Sequence, residues 1–319
     1  MKRRFPLHVH ISTLFVMLIL LIGSVIGGLG YKISRDILNT TASDLNTRIT
    51  RETVSEFTSL LAPAQMATQL LSFAAVTQAK SLDERLANLG FMREALDNSA
   101  ALTSLYIGYA NGDFFLLRRL GSDSERADFN ATGNTAYVVQ SIERSAGVSS
   151  GTFIYLDAAL VPLRREERPD YPEAYDPRQR DWYKAALATS GPIKTAPYLF
   201  FTNRKVGTTI AQRASKGEAV VGSDIHLATL NESLAQKKVT PGMLLLLANA
   251  RGEILAYESF DKVVHAPTGG DAQPILAKLT EIGLPILAQL APLLSSGASQ
   301  STESMTLTVA GETWRAGIS

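Results

Sequence analysis

The sequence has no cysteine in 319 residues. That absence excludes a disulfide framework, a thiolate nucleophile and cysteine-ligated zinc. Histidine is nearly as scarce. His8 and His10 precede the long apolar run, His226 and His265 stand alone, and no HExxH spacing exists to hold a metal. Charge of one sign is not in excess either: 31 Lys plus Arg face 30 Asp plus Glu, a formal balance of +1. A nucleic-acid footprint would show as a basic surplus, so none is expected. There is no GxSxG, no GxGxxG after a strand and no phosphate-cradling glycine loop. Charged residues reach only 19% against roughly 25% in average soluble chains, while 45% hydrophobic residues exclude wholesale disorder.

A single uncharged stretch is long enough to cross a bilayer, which excludes a polytopic membrane protein. It covers residues 11–31, ISTLFVMLILLIGSVIGGLGY. About 20 helical residues span a hydrocarbon core of roughly 30 Å. Lys2, Arg3 and Arg4 precede it, so the positive-inside rule holds residues 1–10 in the cytoplasm and exports the chain after Tyr31. A cleaved signal peptide also begins with basic residues. It has a shorter apolar region and a small-x-small cleavage site, whereas here Ile33, Ile37 and Leu38 carry the helical pattern on, so the run is read as a retained anchor.

Beyond the anchor, Ile33, Ile37, Thr41, Leu45, Ile49, Thr53, Phe57 and Leu61 recur every fourth residue, with charged and polar residues between them. The spacing predicts an amphipathic helix over 32–81, about 50 residues and roughly 75 Å long, kinked at Pro63. Part of it packs on its own domain. The remainder is a stalk available to a second chain, which predicts a homodimer through this helix.

A second helix is expected over 82–98. The pattern then turns to short apolar runs: 102–109 and 114–120 flank Ala110-Asn111-Gly112-Asp113, a hairpin signal. Residues 121–134 read as loop, 136–142 and 151–156 as strands, and 164–179 as an exposed charged approach. A helix comes next over 181–189, then strands over 206–213 and 219–224, and a helix over 227–236. Lys237–Gly242 reads as a linker. The theme repeats with strands 243–248 and 253–257, a helix over 272–288 broken by Pro285, and strands 304–309 and 313–318. The fold class is thus α+β: a membrane helix, a long helix and two tandem modules on antiparallel sheets.

The densest polar-aromatic cluster is Tyr175-Asp176-Pro177-Arg178-Gln179-Arg180-Asp181-Trp182-Tyr183. Tyr and Trp combine apolar contact with a hydrogen-bonding tip, and an arginine offers a planar fork for a carboxylate. The set suits a small-molecule pocket. It equally suits a helix that buries Trp182 and Tyr183 as core and pairs Arg180 at the surface.

The run YDPRxRxWYxxA, followed by Gly191-Pro192, Ala196-Pro197-Tyr198, Thr208–Ala211 and Val221-Gly222-x-Asp224-Ile225, resembles the double Cache domain. This is the exported ligand sensor of bacterial chemoreceptors, histidine kinases and cyclase receptors. The resemblance covers residues 31–319 and implies two PAS-like modules: membrane-distal over 82–238 and membrane-proximal over 239–319. It also implies a place in the bacterial inner membrane with the sensor in the periplasm, and no cofactor.

In the amino-acid-sensing branch, Tyr175, Arg180, Trp182 and Tyr183 match the first pocket cluster, where Arg, Trp and Tyr hold the ligand carboxylate. Tyr198 matches a later pocket tyrosine and Asp224 the aspartate that receives the ammonium. Phe200 stands where the branch often has an acidic residue, so an organic acid without an amine stays open beside an amino acid, as do amines and purines. The implied function is a sensor signalling to a cytoplasmic module expected beyond Ser319. A membrane-tethered partner-binding protein is the alternative, and no nucleophile–base pair supports an enzyme.

Overall fold

The computed structural model describes residues 7–145, 147–236, 238, 242–249, 251–257, 262–265, 275–295 and 305–318. Helix α1 occupies Leu7–Phe73, 67 residues. Its apolar part has a mean hydropathy of 2.4 over the most hydrophobic window and is long enough to cross a membrane. Side chains from 11 to 42 are exposed throughout. The helix passes Pro63 without a break and ends at Phe73 rather than near Lys80; a 3-10 turn at Ala75–Gln78 takes over. Proline costs one helix hydrogen bond, and burial of Ala64, Ala67 and Leu71 in the turns after it offsets that cost.

By compactness the chain forms two units, Thr53–Gly297 and Met1–Glu52 with Ala298–Ser319. In the first, the expected 82–98 helix is split into α2 (Leu82–Leu86) and α3 (Leu89–Asp97). Then come β1 (Leu102–Gly108), β2 (Phe114–Arg119), α4 (Asp123–Asp128), β3 (Tyr137–Ser145), β4 (Val148–Leu156) and β5 (Pro162–Glu167). The chain continues through α5 (Tyr171–Ala174), α6 (Asp181–Leu187), β6 (Ile193–Lys194), β7 (Tyr198–Leu199), β8 (Val206–Arg213), β9 (Val220–His226) and α7 (Leu227–Gln236).

Two of these elements correct the sequence reading. α4 lies in the expected loop and is fixed by a capping box: Ser122 accepts from the Glu125 amide while Glu125 accepts from the Ser122 amide. β5 lies in the segment read as an exposed approach. It is a charged edge strand, Arg164 to Glu167, whose polarity discourages further pairing.

The strands form one nine-stranded sheet in the order β5-β4-β3-β2-β1-β9-β8-β6, with β7 also on β8. Neighbours on this path are antiparallel. The β1–β2 turn closes with Gly112 at φ 89°, where a side chain would be strained.

Alternation along each strand sends side chains to opposite faces. One face buries Leu105, Ile107, Phe115, Leu117, Val139, Ile154, Val221 and Ile225 under Leu71, Met92 and Leu96 of the helices. The other buries Tyr106, Phe114, Leu116, Val138, Phe153 and Tyr155 against Tyr171, Tyr175, Trp182 and Tyr183.

Within the same unit, β10 (Leu246–Ala248) pairs with β11 (Ile254–Tyr257), and β12 (Val264–His265) with β13 (Ile275–Leu276). Both pairs are two-stranded. The helix expected over 272–288 is not there: its first residues lie outside the described set, Ile275–Leu276 is extended, and α8 runs Pro285–Ser295. Pro285 opens that helix instead of ending it, because a first-turn position needs no amide donor. Most of the expected 237–242 linker lies outside the described residues.

In the second unit, β14 (Met305–Val309) and β15 (Glu312–Ala316) form a hairpin turning at Ala310-Gly311. Arg315 donates to the Asn39 backbone carbonyl and, at 2.7 Å, to its side-chain oxygen on α1.

Candidate functional site

The site lies on the aromatic face of the large sheet. Four adjacent strands place Arg118, Ser104, Asp224 and Thr209 directly opposite one another: Arg118 on β2 faces Ser104 on β1, which faces Asp224 on β9, which faces Thr209 on β8. Tyr106, two residues along β1, lies over Gly222, where a Cβ would come within 2.3 Å of the ring. Glycine there lets the tyrosine reach Asp224.

α6 supplies the opposing wall. Asp176 caps the short 3-10 turn Pro177–Gln179 by accepting from the Arg178 amide. Arg180 then sits extended at the helix start, with Trp182, Tyr183 and Ala186 on the buried face. The helix approaches β1 so closely that a Cβ on Gly108 would lie 3.0 Å from both Trp182 and Tyr183.

Tyr175, Arg180, Trp182, Tyr198 and Asp224 line one cavity, together with Tyr106, Phe114, Leu116, Arg118, Tyr171, Phe200, Phe201 and Thr202. Tyr183 does not line it. Its ring packs edge-on against Trp182 and its hydroxyl donates to the Glu218 carbonyl at 3.1 Å. Phe200 is buried with its ring 5.2 Å from that of Tyr198, so the position expected to be acidic is an apolar wall. The cavity holds about 30 Å³. That is room for a water or two, below the roughly 300–1,000 Å³ of small-molecule pockets. Beside it lies a cleft of about 930 Å³ that shares Arg180, Trp182 and Tyr198 and is also walled by Arg251, Glu253 and Lys278.

Asp224 is buried yet well supplied. Its Oδ1 accepts from Tyr106 at 2.8 Å and Thr209 at 2.7 Å, its Oδ2 from Ser104 at 2.9 Å. Tyr198 lies 2.6 Å from the Thr209 hydroxyl, extending the chain of hydroxyls. Burial pushes the Asp224 carboxyl above its ordinary range, opposed by Arg118 and the three hydroxyl donors. The Tyr106, Tyr175 and Tyr198 phenols are pushed up by burial as well, so they remain neutral donors. His226, two residues beyond Asp224, is pushed down to about 3 by burial, then by Arg118 and Lys205.

Arg180 is half-buried, with its guanidinium 5.5 Å from the Tyr175 ring centre and 5.9 Å from that of Phe201. It has no carboxylate partner among the described residues, so its fork is free for an anion. Trp182 is 2% exposed, with its ring edge-on to Tyr106. The arrangement can hold a small anion between an arginine and an array of neutral donors. Among the described residues no cluster of His, Asp and Glu suits a metal.

Sequence reasoning missed Arg118, Tyr106 and Tyr171. Arg118 ends an apolar strand as the first of two arginines, and only the register puts it on this face and Arg119 on the other.

No protein-family model matches the chain. Adenylate cyclase 1 of Rhizobium meliloti is 26% identical over 246 residues, 76% of this chain and 36% of the cyclase. The methyl-accepting chemotaxis protein McpG of Pseudomonas putida is 34% identical over 123 residues, 38% of this chain and 19% of McpG. The chain thus spans about a third or less of these relatives' length. Among solved structures, the ligand-binding domain of the Campylobacter jejuni chemoreceptor Tlp3 in complex with L-valine superposes with a TM-score of 0.51 at 17% identity. That superposition covers 88% of this chain and 89% of that domain. The fold is that of a chemoreceptor ligand-binding domain, as the YDPRxRxWY resemblance implied.

Proposed function

We propose that the chain is the extracytoplasmic sensor of a bacterial membrane receptor, anchored here by the helix over 11–31, with the double Cache organisation of residues 82–238 and 239–319. Its distal module binds a small carboxylate-bearing metabolite, with an amino acid as the first class to test. The single observation that carries this is convergence. Tyr175, Arg180, Trp182, Tyr198 and Asp224 come from separate segments of the chain and line one cavity. In this reading Arg180 and the Trp182 indole take the carboxylate, and Tyr175 and Tyr198 shape the space around it. Tyr183 supports Trp182 from behind. The Tlp3 domain's complex with L-valine favours an amino acid.

The small cavity gives binding a mechanical consequence. A metabolite must push the walls apart, so occupancy and conformation are linked. α1 leads toward the membrane, and its exposed Ile33, Ile37 and Leu45 form the stripe through which two copies pair. The receptor sits in the inner membrane with residues after 31 in the periplasm, and it signals to a cytoplasmic module. Efficient crosslinks between single cysteines at Ile37 or Leu45 in membranes support the pairing, and their absence along the stripe removes it.

The test of the site is titration calorimetry on the full chain in nanodiscs with amino acids and organic acids. Losing one side of a buried charged hydrogen bond costs about 2–5 kcal/mol, so Arg180→Ala weakens binding at least about thirtyfold. Unchanged affinity in that variant overturns the assignment.

A further inference from the structure

Arg118 is 3% exposed, and its side chain makes no hydrogen bond among the described residues. Its Nε and Nη1 are buried without an acceptor. Its Nη2 lies 3.7 Å from Asp224 Oδ2, an ion contact beyond hydrogen-bond reach. Arg85 also has its Nε and Nη1 buried without an acceptor, but its Nη2 donates to Asp113 at 2.5 Å, whereas no donor of Arg118 is within hydrogen-bond reach of an acceptor among the described residues. The half-buried Arg144 donates to the Pro172 and Tyr175 carbonyls at 2.7 and 2.9 Å. A buried guanidinium with two donors unpaired is disfavoured unless an acceptor reaches them.

The surroundings say what that is. Arg118 and Arg180 line the same cavity, and both act on the buried Tyr171 hydroxyl, opposing the upward push of burial on it. Asp224 is the carboxylate among the lining residues, and three of its roughly four acceptor positions are taken by Ser104, Tyr106 and Thr209. Its remaining position faces Arg118. A ligand ammonium approaching there meets an occupied carboxylate and a neighbouring cation. Asp224 balances the charge of Arg118 but not its donors: Nε and Nη1 stay without an acceptor when a single carboxylate sits on Arg180.

We propose that Arg118 binds a second carboxylate of the ligand, which makes the distal cavity selective for dicarboxylates. This rests on the reading of the cavity as the ligand site. A planar fork with its outer donors free is the group that recognises a carboxylate bidentately. The shared chemistry is two carboxylates on a short carbon chain, whether or not an amine is present.

Isosteric pairs differing in one charge test this. The full chain in nanodiscs is titrated with L-glutamate and L-glutamine, and with succinate and butyrate. The expected result is that at least one dicarboxylate binds at least about tenfold tighter than its partner, and that Arg118→Gln brings that ratio to within about twofold. Arg118→Lys, which keeps the charge but not the fork, covers the case where Arg118→Gln does not fold; it lowers the ratio without abolishing it. A lead for glutamate marks an amine-bearing ligand, and a lead for succinate marks one without an amine. Equal binding within both pairs, or a ratio untouched by either Arg118 variant, overturns the proposal. If the monocarboxylate then binds in an Arg180-dependent way, the sensor reading survives alone. Failure of all four probes to bind overturns the proposal as well.

Discussion

The two faces of the large sheet are built from the same strands and obey different rules. Leu105 and Tyr106 are adjacent on β1, both almost fully buried, and point opposite ways. On the Leu105 face aliphatic side chains meet the helices. On the Tyr106 face aromatic rings surround a buried carboxylate, a row of hydroxyls and a guanidinium whose Nε and Nη1 lack acceptors. The first face is where burial of apolar surface stabilises the fold. The second gives up part of that stabilisation to gather a carboxylate, hydroxyls and two arginines around one cavity, and the contrast locates function there.

The largest effect that sharpens the contrast is on stability. Leu105→Ala removes a side chain with no exposed surface and costs about 2–5 kcal/mol in chemical denaturation. Ligand affinity of the folded fraction should not change. Loss of affinity equal to that of Arg180→Ala would erase the distinction between the faces.

Next comes a pH effect confined to the polar face. His226 has a folded pKa of about 3, below its ordinary 6.5, so the unfolded chain takes up the proton more readily. Its contribution to stability is full above 6.5 and is lost as pH falls toward 3. Between pH 7 and pH 5 that amounts to about 2 kcal/mol. The raised Asp224 carboxyl works in the opposite direction, since its protonation favours the folded chain. His226→Gln should therefore flatten the fall, read as denaturation midpoints at the two pH values. A slope unchanged in that variant would assign the effect elsewhere.

A similar but smaller loss is expected at Gly222. An alanine Cβ would lie 2.3 Å from Tyr106, whose ring must shift; overpacking of this kind costs about 1–3 kcal/mol. Because the shift pulls the Tyr106 hydroxyl from Asp224, Gly222→Ala should disturb binding as well as folding, unlike Leu105→Ala.

The smallest effect is at Tyr183. Removing its hydroxyl in Tyr183→Phe deletes one bond to the Glu218 carbonyl, worth about 1 kcal/mol. Calorimetry should show affinity close to wild type. A loss comparable to that of Arg180→Ala would return Tyr183 to the cavity wall.

The strand pairs around Asn111-Gly112 and the helix at 227–236 were legible in the sequence because local chemistry fixes both. The capping box of α4 is equally local, in Ser122 and Glu125, but the segment has no apolar period to mark it as a helix. β5 carries the charges of an edge strand and no alternation, so nothing in its composition marks it. The cluster around Trp182 stood out through its rings and charges. Arg118 did not, because its role depends on which face of β2 it occupies and on Asp224 lying two strands away. Register is a property of the assembled sheet, and two arginines in a row give no hint of which one points inward.

The central claim is that a small carboxylate occupies the cavity beside Trp182. The chain has two tryptophans, Trp182 and Trp314, so Trp314→Phe leaves Trp182 as the sole indole reporter. Titrating that variant with L-glutamate, L-valine and succinate should produce, for at least one of them, a saturable change in emission that disappears in Arg180→Ala. Calorimetric binding of one of these ligands with Trp182 emission unchanged would put the ligand somewhere else and contradict the account.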